Sequence, residues 1–168
     1  MNNLSNWIAN SGAHDFSLWL LENIPGSPPI LQTLHLLSIC ALMASAVFID
    51  LRILGLAVLS QQVDEMATRL RFWAVGALLG VFCSGIWFVL ARPTRYFNNP
   101  VFQIKFALLI PALISSAFIF RIAVRKPRFW QAHVWQGKLL AGVSLLLWIS
   151  VVLAGRWIAY SEYLFWPE

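Results

Sequence analysis

Five ionisable residues stand inside or at the edge of long apolar runs: His35, Asp50, Arg52, Lys105 and Arg156. An ionised group at the centre of a membrane helix costs about 2.5–3.5 kcal/mol on insertion scales, so each needs a partner or a purpose. A histidine there can ligate haem or copper, or hydrogen-bond a quinone. His35 lies about five residues into the first run, roughly 8 Å below the surface, and Lys105 lies at a similar depth in the third. With Arg92, Arg95, Tyr96, Arg156, Tyr160 and Glu162 they can converge on one outward-facing polar pocket. Its cations would suit haem propionates or another anionic group. The bland alternative is a His35 bonded to a backbone carbonyl or a neighbouring side chain.

The second group is Asp50-Leu51-Arg52. It reads as a charged clamp at the opposite membrane boundary, with Arg69, Arg71 or Arg121 available as the cation for Asp50. Soft ligands offer a third chemistry. Cys40 and Met43 lie one turn apart below His35, and Cys83 falls mid-span on the second run. Thiolate and thioether favour Cu(I), though both side chains also serve as ordinary apolar filling. A haem b site wants a second histidine at matching depth. His133 is nearly a bilayer away, and His14 qualifies only if its segment folds over the bundle mouth.

These residues must be positioned by helices. Of 168 residues, 60% are hydrophobic and 11% charged, with a mean hydropathy of +0.71, against roughly 25% charged in soluble domains. A soluble enzyme, a disordered tail and a disulfide-stapled secreted module are excluded by that balance. Four runs are long enough to cross a hydrocarbon core, about 20 residues each: 30–49 (with the apolar pattern continuing to 59), 72–91, 101–120 and 139–160. Lipid admits only helices or closed barrels, and these runs lack strict alternation. The expected fold is all-α: an integral membrane four-helix bundle over 30–160, preceded by a segment at 1–29 and followed by a tail at 161–168. Within the first segment, residues 15–24 read as a short interfacial amphipathic helix, with Phe16, Trp19, Leu20 and Ile24 on one face.

Basic residues set orientation. Arg52, Arg69, Arg71, Arg121, Arg125, Lys126, Arg128 and Lys138 fall on one side, while the N-terminal segment has none. The positive-inside rule puts the richer side in the cytoplasm and both termini in the periplasm of a bacterial inner membrane. Trp7, Trp19, Trp157 and Trp166 would form the outer aromatic belt, and Trp73, Trp130 and Trp135 the inner one. The run Arg121 to Arg128 reads as an anionic-lipid contact rather than a nucleic-acid site. Gly76, Gly80 and Ser84 make a small-residue stripe that admits a sister helix or another subunit. Pro111 suggests a kink whose freed carbonyls are served by Ser115, Ser116 or neighbours. Nucleotide, metalloprotease and nucleophile-elbow motifs are missing.

Four strings together resemble a family. They are His35-Leu36-Leu37, Asp50-Leu51-Arg52-Ile53-Leu54-Gly55, Asn98-Asn99-Pro100-Val101-Phe102-Gln103-Ile104-Lys105 and Gly155-Arg156-Trp157-Ile158-Ala159-Tyr160. They resemble a bacterial group of small four-helix inner-membrane proteins of unknown function, which looks distantly like the membrane domain of copper-resistance D proteins. The resemblance spans about residues 30–160 and places His35, Asp50, Arg52, Lys105 and Arg156 at motif positions. It implies the bundle fold. Through the distant likeness it implies copper transport as an alternative to the reading of the residues, a non-catalytic subunit or binding protein that takes a redox cofactor, a lipid-like ligand, a membrane or periplasmic protein partner or a second copy of itself. A haem b electron carrier is a further alternative.

Overall fold

Proline, asparagine and glycine decide where the long helices begin and end. A computed structural model describes residues 2–126 and 128–160. Helix α1 covers Asn2–Ala9 and α2 Gly12–Asn23. Helix α3, Ser27–Leu54, starts behind Gly26 (φ 81°) with prolines in its first turn, where a missing N–H costs nothing. Helix α4, Val63–Ala91, carries Asp64 and Glu65 in its first turn, matched to the positive helix end. After α5, Pro93–Phe97, Asn99 caps α6, Pro100–Arg125, by accepting from the N–H groups of Val101 and Phe102. Helices α7, Phe129–Ala132, and α8, Val134–Trp157, complete the chain, with a 3-10 turn at Ile158–Tyr160.

α3 does not run on to residue 59. Gly55 adopts a left-handed φ of 78°, and the amides of Gly55 and Leu56 bond back to Arg52 O (3.2 Å) and Leu51 O (2.9 Å). That glycine cap closes the helix despite apolar residues beyond it. Conversely α4 begins nine residues before the apolar run at 72, because charged residues continue a helix outside lipid as well as apolar ones do. At 24 to 29 residues, the four long helices measure about 36–44 Å. All four are long and apolar enough to span a membrane. The chain is a multi-pass, all-α membrane protein.

The bundle order is α3–α4–α6–α8, with α3 packed most closely on α4 and α6 on α8. Small residues permit this, as lipid supplies no hydrophobic drive between helices. Buried Ser45, Ser84 and Ser115 return their hydroxyls to their own helices at Ala41 O, Gly80 O and Ala112 O. The stripe on α4 faces α3 within the chain. A Cβ on Gly80 would collide with Ser38, and Ser84 meets His35. Gly76 lines a shallow hollow beside Leu37 and Ser38. Around Pro111, Ser115 bonds Ala112 O and Ser116 accepts from Trp148 Nε1 at 2.7 Å. Neither hydroxyl serves the carbonyl of Ala107, the one that the proline frees.

At the end where the N-terminus lies, α2 rests on α4. Phe16 meets Trp87 with ring centroids 5.7 Å apart, and Ser27 Oγ ties back to Leu20 O at 2.7 Å. Phe16 and Trp19 stack on each other and stay exposed. Trp7, Trp73, Trp135 and Trp157 are also exposed, whereas Trp130 is buried against Gly137 in the core and belongs to no belt. Trp166, Glu162 and the tail at 161–168 lie outside the described residues.

Candidate functional site

Of the outer polar group, Lys105 lies within electrostatic range of His35, and Arg156 pairs with Tyr160. His35, on α3, is half-buried. Its Nδ1 lies 3.0 Å from Val81 O and 3.1 Å from Ser84 Oγ on α4. A carbonyl only accepts, so Nδ1 carries the proton. The ring edge rests on Gly85, where a Cβ would come within 2.7 Å of Cε1. Two helices therefore fix this imidazole and leave the Nε2 lone pair unspent among the described residues. Lys105, half-buried on α6, lies within electrostatic range of His35. It runs along α8 at Gly155, where a Cβ would sit 3.7 Å from Nζ. Gly85 makes room for the His35 ring, whereas Gly155 is only in ordinary contact with the Lys105 chain. Gly85 lies one residue past the small-residue stripe, and its spacing gives no sign of the contact it makes.

Arg156 and Tyr160 form a separate exposed pair. The guanidinium donates to the phenol oxygen at 3.0 Å and stands 5.2 Å from the ring centroid. Arg92 is exposed at the junction of α4 and α5. The histidines do not converge. His14 Nδ1 bonds Leu90 O at 2.8 Å, while His35 is tied to Val81 on the same helix. Those anchors are nine residues, about 13.5 Å, apart, too far for one iron to reach both rings. His133 stacks on Phe129 at the opposite end, with centroids 4.7 Å apart.

The soft ligands are dispersed. Cys40 and Cys83 are free and exposed on the bundle surface, and Met43 packs against the central core cluster. No three of His, Cys, Asp and Glu gather among the described residues.

Asp50 and Arg52 turn to different sides of α3. Arg52 turns outward and donates from Nε to Gln61 O at 2.7 Å. Asp50 turns inward and is 1% exposed. Arg69 is taken by Glu65 at 2.6 Å, and among the described residues no cation pairs with Asp50. Neither carboxylate oxygen has a hydrogen-bond partner. Ser144 of α8, also fully buried, faces Asp50 without closing a proper bond. An i, i+2 pair on a helix points to different sides, and that geometry separates the two charges.

A hollow of about 620 Å³ opens elsewhere, between α4 and α6, with Leu42, Ala46 and Trp148 as its floor. It lies in the basic half of the bundle, away from His35.

Four membrane-spanning helices around a half-buried imidazole and ammonium define a small polytopic membrane protein without an extramembrane domain among the described residues. The chain belongs to a family of unknown function (DUF6644), matched over residues 28–161. That match takes in all four long helices, and α1 and α2 precede it. No curated protein and no solved structure matches the chain, so the comparisons give no tie to copper-resistance D proteins.

Proposed function

We propose that this protein is a non-catalytic binding protein or subunit of a bacterial inner membrane, with both termini periplasmic, and that its outer half binds a quinone-like redox lipid at His35 and Lys105. The observation that carries the reading is the fixed imidazole: Nδ1 is committed to Val81 O, and Nε2 remains an acceptor within electrostatic range of an ammonium. In the reduced form a quinol hydroxyl can donate to Nε2, and in the oxidised form a quinone carbonyl can accept from Lys105. The ammonium also weighs against copper, because a cation within range opposes a second one. The scattered Cys40, Met43 and Cys83 add nothing to offset that repulsion. Haem b wants a second imidazole, and His14 is anchored too far along α4. Orientation rests on the eight basic residues gathered at one end of the bundle.

Purification in mild detergent, followed by solvent extraction and ultraviolet detection, tests this reading. The expected result is quinone retained by the wild-type chain and weakened about tenfold by His35→Ala or Lys105→Met, the scale of one hydrogen bond to a charged group. A Soret band would transfer the reading to haem, and stoichiometric copper lost in a Cys40→Ser, Cys83→Ser variant would transfer it to copper transport. A colourless, metal-free protein that co-purifies with a fixed partner would leave only a docking role.

A further inference from the structure

The hollow between α4 and α6 combines two features that are separately unremarkable. Its walls are apolar, with Ala74 and Leu78 on one side and Ile114 and Ala117 on the other. Its mouth, at the basic end, carries Arg71 from α4 and Arg121 and Arg125 from α6. Among the described residues none of the three guanidiniums has an acidic partner: the ion pair present at this end joins Arg69 to Glu65. Asp64, in the first turn of α4, stands two turns from Arg71 and makes no ion pair with it, and Asp50 is buried on the α8 side of α3. Three like charges around one opening repel unless an anion lies among them.

Length supplies the second argument. Along α6 the lining runs from Leu113 to Arg125, about 18 Å at 1.5 Å per residue. One leaflet of a ~30 Å hydrocarbon core is about 15 Å deep. The groove therefore spans a single leaflet, from the headgroup level to near the midplane. The polar pair in its floor, Trp148 and Ser116, is bonded to itself at 2.7 Å, so the inner part asks for nothing polar.

We propose that this groove holds one anionic phospholipid of the adjoining leaflet, its phosphate among Arg71, Arg121 and Arg125 and an acyl chain over Trp148. The match is of charge and length together. A zwitterionic lipid would satisfy the walls and not the mouth. The site is independent of the His35 site, which lies in the other half of the bundle, so either can fail alone.

The test is native mass spectrometry of the full chain in detergent, titrated with phosphatidylglycerol or with phosphatidylcholine of the same acyl chains. The expected result is one retained phosphatidylglycerol and at least about tenfold weaker phosphatidylcholine. Arg121→Gln should weaken retention about fivefold, the effect of one basic residue at an anionic surface. Ala117→Phe fills the groove from an exposed helix position and should abolish retention with all three arginines intact. Arg69→Gln, at the same end but outside the lining, should change nothing. Equal retention of both lipids, or retention that survives Ala117→Phe, would overturn the proposal. So would a dimer in which a second copy covers the groove and lipid is excluded. Thermal unfolding of each variant separates lost binding from lost fold.

Discussion

Asp50 shows how residue type and residue role part company. Its type and depth mark it as costly in lipid, and the neighbouring arginines make a clamp the natural expectation. The structure withholds the cation and gives it only the facing hydroxyl of Ser144. Removing one partner of a buried ion pair costs about 3–5 kcal/mol. Asp50→Asn should instead leave thermal stability unchanged or raised, since no cation is orphaned. A loss of that clamp-sized magnitude in detergent unfolding would restore the clamp. Ser116→Ala should behave oppositely. It strands the buried indole N–H of Trp148 and should cost about 1–3 kcal/mol, readable in the same melts. Trp148→Phe in that background should return part of the loss.

Among elements, the α3–α4 pair shows that spacing identifies a stripe without saying which members of it are used. Gly76, Gly80 and Ser84 share one face, yet a Cβ on Gly76 would touch nothing within 4 Å. Gly85, off that face by one residue, is pressed against His35. Gly76→Ala should be neutral or gain up to about 1 kcal/mol from helix propensity. Gly85→Ala should cost about 1–3 kcal/mol by overpacking and displace the imidazole. Equal melting of the two variants would contradict the packing described. Helix ends follow the same lesson. Asn99 and Pro100 announce the start of α6 in the sequence, because their chemistry is local. The end of α3 depends on the left-handed φ at Gly55, which the apolar residues beyond it mask.

For the whole molecule, the charge distribution makes an expectation about sides. With the basic ends of α3, α4, α6 and α8 inside, a C-terminal fluorescent fusion that fluoresces only in the cytoplasm should stay dark. A C-terminal alkaline phosphatase fusion should be active. A bright cytoplasmic signal would invert the orientation and put His35 and Lys105 on the inner side. The N-terminal helices belong to this scale as well. They lie before the family match, and α2 docks on α4 through Phe16 and His14, next to the turns that hold His35.

Composition and run length by themselves determined that this chain is helical, crosses lipid four times and keeps its charges at the ends. Those outcomes follow from solvation, and solvation is additive along a sequence. They also narrowed the chemistry to a few ionisable residues, for the same reason. Which of those residues meet was decided only by tertiary packing. His35 packs against α4 because Gly85 leaves room for its ring, and that packing sets it within electrostatic range of Lys105 on α6. Asp50 parts from Arg52 because two positions on a helix turn a side chain to a different neighbour. The groove under Arg71, Arg121 and Arg125 belongs to no single helix. It arises where α4 and α6 pack less closely than their partners, and no linear pattern records the gap between two surfaces.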